Sequence, residues 1–262
     1  MNIIVCVKYT PDTAADRKFG ADHTVDRGSD GLLCELDEYA VEQALRIKEG
    51  RPDEEVNVTA LTVGPAEAEI ALRKALQMGA DHAVHVADDA IAGSDAAATS
   101  LVLAKAIERN GIPDLIIGGL ASTDAGMGVL TAMLAERLNL PQVTLASVVE
   151  MQGAEVRIKR DGDTATEIVG GTLPLVMSVT DQSGEVRYPT FKGVMAAKKK
   201  QVQTLSLLDI GVDRSEVGLA AAWTKVRGTS ERPPRTAGVI VRDSDGSGAA
   251  AVFDFLASNK FV

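Results

Sequence analysis

The chain opens with a continuous apolar run, Asn2 to Lys8 (NIIVCVK), of the kind carried by a strand buried on both faces. Residues 10–34 are polar and glycine-rich and read as a long excursion with room for a hairpin. From Asp37 the spacing turns helical. Tyr39, Ala40, Ala44, Leu45 and Ile47 fall near a 3.6-residue period, with acids at the start, Arg46 and Lys48 at the end, and Gly50 and Pro52 as the stop. Glu55 to Val63 (EVNVTALTV) predicts a strand. Gly64-Pro65 then opens a helix, since proline is tolerated in a first turn, and the helix runs to about Met78, closed by Gly79-Ala80-Asp81. His82 to Val86 is a short strand, and Ser94 or Asp95 can cap a helix through about Asn110. Leu115 to Ile117 is another buried strand ending at Gly118-Gly119, and a loop over 120–126 leads to a helix that ends near Leu138.

After Pro141 the texture changes. Val143 to Val149, Val156 to Arg160, Glu167 to Val169 and Leu175 to Val179 read as short strands, with turns at Gly153 and Asp161-Gly162-Asp163. They predict more sheet with antiparallel edges. From Tyr188 periodicity fades: Met195 to Lys200 is a short basic piece, and 201–237 is polar and loop-like. The tail recovers a strand-like run at Val239 to Val241 and a helix to Leu256. Such a tail has little core of its own and suits the surface of a partner. The domain expectation is therefore 1–222 and 223–262. The alternation of strand and helix argues for an α/β fold, a parallel sheet with helices on both faces. Sheets of that kind bind ligands at the carboxyl ends of their strands, where helix amino termini and loop amides converge.

Composition narrows this picture. The 262 residues are long enough for one large or two small domains, and 45% of them are hydrophobic. Only nine are aromatic, so the core must be aliphatic; six of the nine lie from Tyr188 onward, where a partner would supply the burial that large rings need. A net charge of −10 argues against a general nucleic-acid binder. No apolar run approaches the ~20 residues of a membrane span, and Met1 leads directly into a strand, so neither membrane insertion nor a secretory signal is expected. Cys6 and Cys34 read as small buried side chains in a reducing cytoplasm.

No nucleophile motif, phosphate-loop signature or complete dinucleotide fingerprint is present; Gly126-Met127-Gly128 lacks the third glycine. His82 and His85 point to opposite faces of one strand, and with His23 they read as structural or solvated. The best ligand candidate is Gly118 to Gly128, a loop of small residues between a strand and a helix, whose amides can approach a phosphate closely; a plain connecting loop is the alternative. Val63-Gly64-Pro65 is a second strand-end turn, structural by default. Asp161-Gly162-Asp163 reads as a solvated hairpin turn, and Lys198-Lys199-Lys200 as a solvated face or a docking segment for an acidic partner.

Several blocks, taken together, resemble the β subunits of electron-transfer flavoproteins. They are Ile4 to Lys8 with Pro11-Asp12-Thr13, Asp37 to Ala44, Ala75 to Asp81, Asp114 to Gly119 with the loop after it, Arg187-Tyr188-Pro189-Thr190 through Met195 and the lysines, and Pro233 to Val239. The blocks occur in family order and span nearly the whole chain. The resemblance implies an adenine-nucleotide-binding fold, Rossmann-like and similar to the adenine nucleotide α-hydrolases, with antiparallel additions and an extended C-terminal arm. It implies a heterodimer with an α subunit that holds most of the FAD, while this subunit buries a structural AMP and is not itself an enzyme. It further implies electrons taken from acyl-CoA and related dehydrogenases and passed to a quinone oxidoreductase at the membrane, as in fatty-acid β-oxidation.

Carried over residue by residue, the AMP contacts fall at Cys6, at Cys34, Glu35, Leu36 and Asp37, at Val63, and in the loop Gly119, Leu120, Ala121, Ser122, Thr123, Asp124, Ala125, Gly126, Met127, Gly128, Val129 and Leu130. The chain departs from the family at Cys34-Glu35, where Asn-Pro is usual, and at Ala121, Gly128 and Leu130, where Gln, Asn or Thr are common. Fewer side-chain donors remain, so phosphate would depend more on backbone amides. Asp161 matches a glutamate that helps hold the mobile flavin domain, a gating role. Tyr188, Phe191, Met195, Lys198, Lys199 and Lys200 match the segment that docks dehydrogenases, with Phe191 where leucine is usual. Two rivals remain: a bifurcating relative with a second FAD in this subunit, and a stand-alone nucleotide-binding protein of the universal-stress type.

Overall fold

The first apolar run forms β1, Asn2–Cys6, and it lies in the middle of a sheet. A computed structural model describes residues 1–15, 17–28, 30–230, 233, 237–243 and 245–262. Pro234, Arg235 and Thr236, from the last block of the resemblance, lie outside the described residues. After β1 the chain makes a small antiparallel hairpin from β2, Tyr9–Pro11, and β3, Gly31–Leu33. Then come α1, Glu35–Glu49; β4, Asn57–Val63; α2, Glu69–Met78; β5, His82–Val86; α3, Ala96–Glu108; β6, Leu115–Gly119; and α4, Leu130–Leu138. The remainder supplies β7, Gln142–Ala146; β8, Val148–Gln152; β9, Glu155–Asp161; β10, Thr166–Thr172; β11, Leu175–Val179; α5, Phe191–Ala197; β12, Val202–Leu205; α6, Gly218–Ala221; and α7, Gly248–Ser258.

The described residues form a seven-stranded sheet in the order β12-β5-β4-β1-β6-β11-β7, and every neighbouring pair is parallel. A strand buried on both faces needs apolar residues at successive positions, which is why β1 shows no alternation. Ile3, Val5 and Val7 join one core with α1 and α2; Cys6, with Leu61, Val84, Ile116 and Val176, joins a second core with α3 and α4 on the other face. The helix signals act where they were expected. The Asp95 side chain accepts from Ala98 N at 3.1 Å and starts α3, while Gly79 and the left-handed Asn139 close α2 and α4.

Three expectations are corrected. The run Val143 to Val149 is not one strand: β7 belongs to the parallel sheet, and β8 to a separate three-stranded antiparallel sheet, β10-β9-β8. The chain changes sheets at Ser147, whose N–H donates to Lys159 O at 2.8 Å, just after Leu145 takes a left-handed φ of 64°. Residues 201–237 are not all loop. β12 adds an edge beside β5, and Leu205, Leu207, Ile210, Val212 and Val217 are buried in the second core. Single apolar residues separated by short 3₁₀ turns have neither a helix nor a strand period, so the pattern is invisible to a periodicity reading. Val239 to Val241 is not a strand; its side chains are exposed.

Contacts divide the chain into two units, Met1–Arg227 and Gly228–Val262. Trp223 and Thr224, taken from the sequence as the start of the arm, donate backbone N–H groups to Asp95 Oδ2 at 2.8 and 2.9 Å within the first unit. In the second unit α7 has no buried residue. If 202–217 is core rather than loop, Leu205→Ala costs about 2–5 kcal/mol, read as a shift of the urea unfolding midpoint. A change under about 0.5 kcal/mol would return the segment to a surface role.

Candidate functional site

Strand order reverses at β1. The chain steps from β1 to β4 and β5 on one side, then crosses back to place β6 on the other. In doubly wound sheets, ligands are held at the carboxyl ends of the strands that flank such a reversal, here β1 and β6. The first helix enters there. The Asp37 carboxylate, in the first turn of α1 and buried, accepts the N–H of Lys8 at 2.9 Å, just past β1. Gly119, the last residue of β6, lies against it so closely that an added Cβ would sit 2.6 Å from Asp37 Oδ1 and from the carbonyl oxygen of Leu36. A glycine at this strand end lets α1 touch the sheet.

The loop after β6 folds over the same point. Cys34 Sγ reaches Ala121 O at 3.7 Å and Thr123 Oγ1 at 3.9 Å, and Thr123 Oγ1 meets Thr10 Oγ1 at 3.2 Å. The Asp124 carboxylate has no exposed surface; Lys8 Nζ lies 2.7 Å from one oxygen and Arg27 Nη2 2.5 Å from the other. Lys8 Nζ also donates to Ser122 Oγ at 3.3 Å. Cys6, Cys34 to Asp37 and Gly119 to Asp124 are therefore brought together. Val63 stands at the same sheet end, on the strand beside β1. Ala125 to Val129 are open to solvent, and Leu130 begins α4.

Electrostatics differ sharply over this small space. Burial opposes the charge of Asp124, but Lys8 and Arg27 outweigh it and hold the carboxyl at about 2. Asp37 has the opposite balance. Burial raises its carboxyl to about 7, against the backbone donors and the Lys8 charge that pull it down. Burial, with Asp37 nearby, pushes the Cys6 thiol up to about 12 and raises that of Cys34. Both thiols are free, and a protonated buried thiol is a poor nucleophile. At the mouth stand small-residue backbone and the side chains of Lys8 and Arg27, both paired with Asp124.

Lys8, Arg27 and Thr10 were not singled out as site residues from the sequence. Arg27 sits 97 positions from Asp124, in a stretch with no period, and only the fold joins them. Among the described residues no three His, Cys, Asp or Glu side chains could hold a metal ion, and no helix is long and apolar enough to cross a membrane. His85 is buried and bonded to Gly64 O at 3.0 Å, a structural contact.

The remaining sequence candidates lie apart from the mouth. Asp161 ends β9 in the antiparallel sheet, where hydroxyls of Ser147 and Thr166 donate to it at 2.6 and 2.7 Å and hold its carboxyl at about 2. Tyr188, Phe191 and Met195 are exposed on and beside α5. Lys198 and Lys199 are exposed too, but Lys200 turns back and donates to Ala80 O at 2.6 Å.

The fold is that of a doubly wound α/β protein, with small-residue loops gathered at the switch point of its sheet. A model of the electron transfer flavoprotein domain matches residues 22–210. The whole chain is 43% identical to the electron transfer flavoprotein subunit beta of Mycobacterium tuberculosis, covering 99% of that protein. It is 33% identical to the subunit of the same name from Bacillus subtilis, each covered in full, and 32% identical to that of Megasphaera elsdenii, over 96% of this chain and 95% of that one. The chain belongs to the electron-transfer flavoprotein β-subunit family.

Two outcomes test the geometry of the mouth. Gly119→Ala forces α1 off β6 and costs about 1–3 kcal/mol in urea unfolding; a neutral result would contradict the close approach. Asp37 has an ordinary pKa of 3.8 and a folded value of about 7, so the folded state keeps a proton that the unfolded state releases between those values. Its contribution to stability is full below pH 3.8 and is lost as pH rises to about 7. Asp37→Asn keeps an acceptor for the Lys8 N–H and should flatten the unfolding midpoint between pH 4 and 8. An unchanged pH slope would refute the assignment.

Proposed function

We propose that this chain is the β subunit of a heterodimeric electron-transfer flavoprotein, an electron carrier in the cytoplasm with no substrate turnover of its own. The observation that carries the reading is the fate of the large rings. Tyr188, Phe191, Trp223, Phe253, Phe255 and Phe261 are each at least 60% exposed, while Tyr9 is buried in the sheet core. Large exposed apolar residues of this kind mark surfaces meant for other proteins. The rings of α7 and the C-terminus suit an α subunit, which this arm would wrap. Tyr188 and Phe191 suit a transient partner, an acyl-CoA or related dehydrogenase, with the quinone oxidoreductase as acceptor.

FAD, held mainly by the α subunit, supplies the reversible uptake and release of electrons. The residues of this chain do the rest of the work assigned here. Backbone amides of 119–130, with Lys8 and Arg27 at the rim, suit the phosphate of a structural AMP. The packed entry of α1 at Cys34 to Asp37, with Cys6 and Val63, suits its adenosine end. The basic, apolar segment 188–200, which contains no acid, would seat against an acidic rim around an apolar pocket. Asp161 is assigned to hold the flavin domain of the partner, an exposed carboxylate at the end of a sheet.

The heterodimer, denatured after co-expression with its α subunit, is expected to release one FAD and one AMP, read by mass spectrometry. Two FAD would identify a bifurcating relative. A stable, colourless homodimer formed by this chain alone would sink the proposal in favour of a universal-stress-type protein. Phe191→Ala is expected to lower the rate of electron transfer from an acyl-CoA dehydrogenase with flavin content intact. Unchanged partner kinetics would remove 188–200 from the docking role.

A further inference from the structure

The segment 188–200 exposes its large side chains, and among its residues only Ala197 is buried. A stretch with so little core of its own must be ordered from outside. The structure supplies a clamp at each end.

At the leading end, Arg187 Nε and Nη2 donate to the two oxygens of Glu42 at 2.7 and 3.1 Å, and Nη1 and Nη2 donate to Glu49 at 2.5 and 3.0 Å. The backbone N–H of Arg187 donates to Glu42 as well, at 3.1 Å. Arg46 adds a bond to Glu42 at 2.8 Å and turns its far nitrogen to the carbonyl of Glu185 at 2.7 Å. Gln43 donates to Ser183 O at 2.6 Å. Glu42, Gln43, Arg46 and Glu49, over about two turns of α1, thus tie 183–187 to its side. The Glu42 side chain is 5% exposed, and its pairing with the two arginines holds its carboxyl below the usual range although burial opposes this. The planar fork of arginine pairs with both carboxylates through two N–H groups each, a geometry the compact ammonium of lysine does not match.

At the trailing end, Arg73 on α2 donates to Ala197 O, the last carbonyl of α5, at 3.3 Å and to Lys200 O, just beyond it, at 2.7 Å, and is itself braced by Glu69. Between the clamps α5 lies directly on α2: a Cβ on Gly193 would be 2.5 Å from the carbonyl oxygen of Gln77.

We propose that Arg187 and Arg73 are positioning residues for partner docking, holding the two ends of 188–200 on α1 and α2 so that Tyr188 and Phe191 are presented in one arrangement before a partner arrives. The inference rests on the docking role proposed above for 188–200. Ordering a segment in advance removes an entropy cost from association, so the loss of a clamp weakens docking without touching the electron-transfer step.

The test uses the heterodimer with an acyl-CoA dehydrogenase and its acyl-CoA as electron donor, with the flavoprotein concentration varied. Arg187→Met, Arg73→Met and the double variant E42Q/R187M are compared with the parent and with Phe191→Ala. The double variant removes the buried charge together with its partner, so the fold is kept if Arg187→Met alone is lost. The expected result is a roughly tenfold rise in KM for the flavoprotein with kcat unchanged. Amide exchange should also become faster within 188–200 and stay as in the parent at β1 and β6. Parental exchange and KM in the double variant and in Arg73→Met would overturn the proposal. If Phe191→Ala leaves KM unchanged, the docking reading falls instead, and the exchange rates alone decide whether the clamps order the segment.

Discussion

The buried carboxylate of Glu42 receives two arginine side chains and a backbone N–H, and much of the structure follows from meeting that demand. An ion taken from water costs several kcal/mol unless its partners are held in place. Here the partners are Arg46 from the same helix and Arg187, 145 positions away along the chain. α1 is thereby bound on its flank to the segment after β11. At its amino end the same helix is bound by Asp37 to the N–H of Lys8 and pressed on Gly119. One helix therefore fixes both the mouth at the sheet switch point and the base of the exposed segment.

The mouth is built from little. Its walls are the ends of β1, β4 and β6, a helix entry and a loop rich in Ala, Ser, Thr and Gly, and the core beneath is aliphatic but for Tyr9, with Tyr39 packed at its edge. Burial pushes both thiols upward, and Asp124 is paired with Lys8 and Arg27. The acidic net charge of the chain is locally reversed along 188–200, where Lys192 follows the exposed Phe191 and Lys198 and Lys199 close α5.

Much of the parallel framework was legible because five of its seven strands lie in largely apolar runs set off by Gly, Pro or Asp. β1, β4, β5, β6 and β11 all fall within or against the runs read for them. The break at Ser147 was not legible. Val143 to Val149 is uninterrupted as a pattern, and what divides it is a left-handed Leu145 and the pairing of Ser147 with Lys159 in another sheet. β12 and the residues after it escaped for a different reason: burial there is scattered along short turns, with no period to detect. In the mouth, the small-residue loop and the strand end at Val63 could be pointed to from residue type and order, while Cys6 and the α1 entry came from the family resemblance. Lys8, Arg27 and Thr10 could not.

What the amino-acid sequence determined by itself is whatever depends on neighbours in the chain. That covers the alternation of strands and helices, the caps at Asp95 and Gly79, the aliphatic core, and the blocks whose order marks the family. Tertiary structure alone decided which distant charges share a carboxylate, which end of each strand gathers the small-residue loops, and which apolar residues stay uncovered. The reason is physical. Backbone periodicity and capping act over three or four residues, whereas Arg27 meets Asp124, and Arg187 meets Glu42, only after the chain has crossed the sheet and returned.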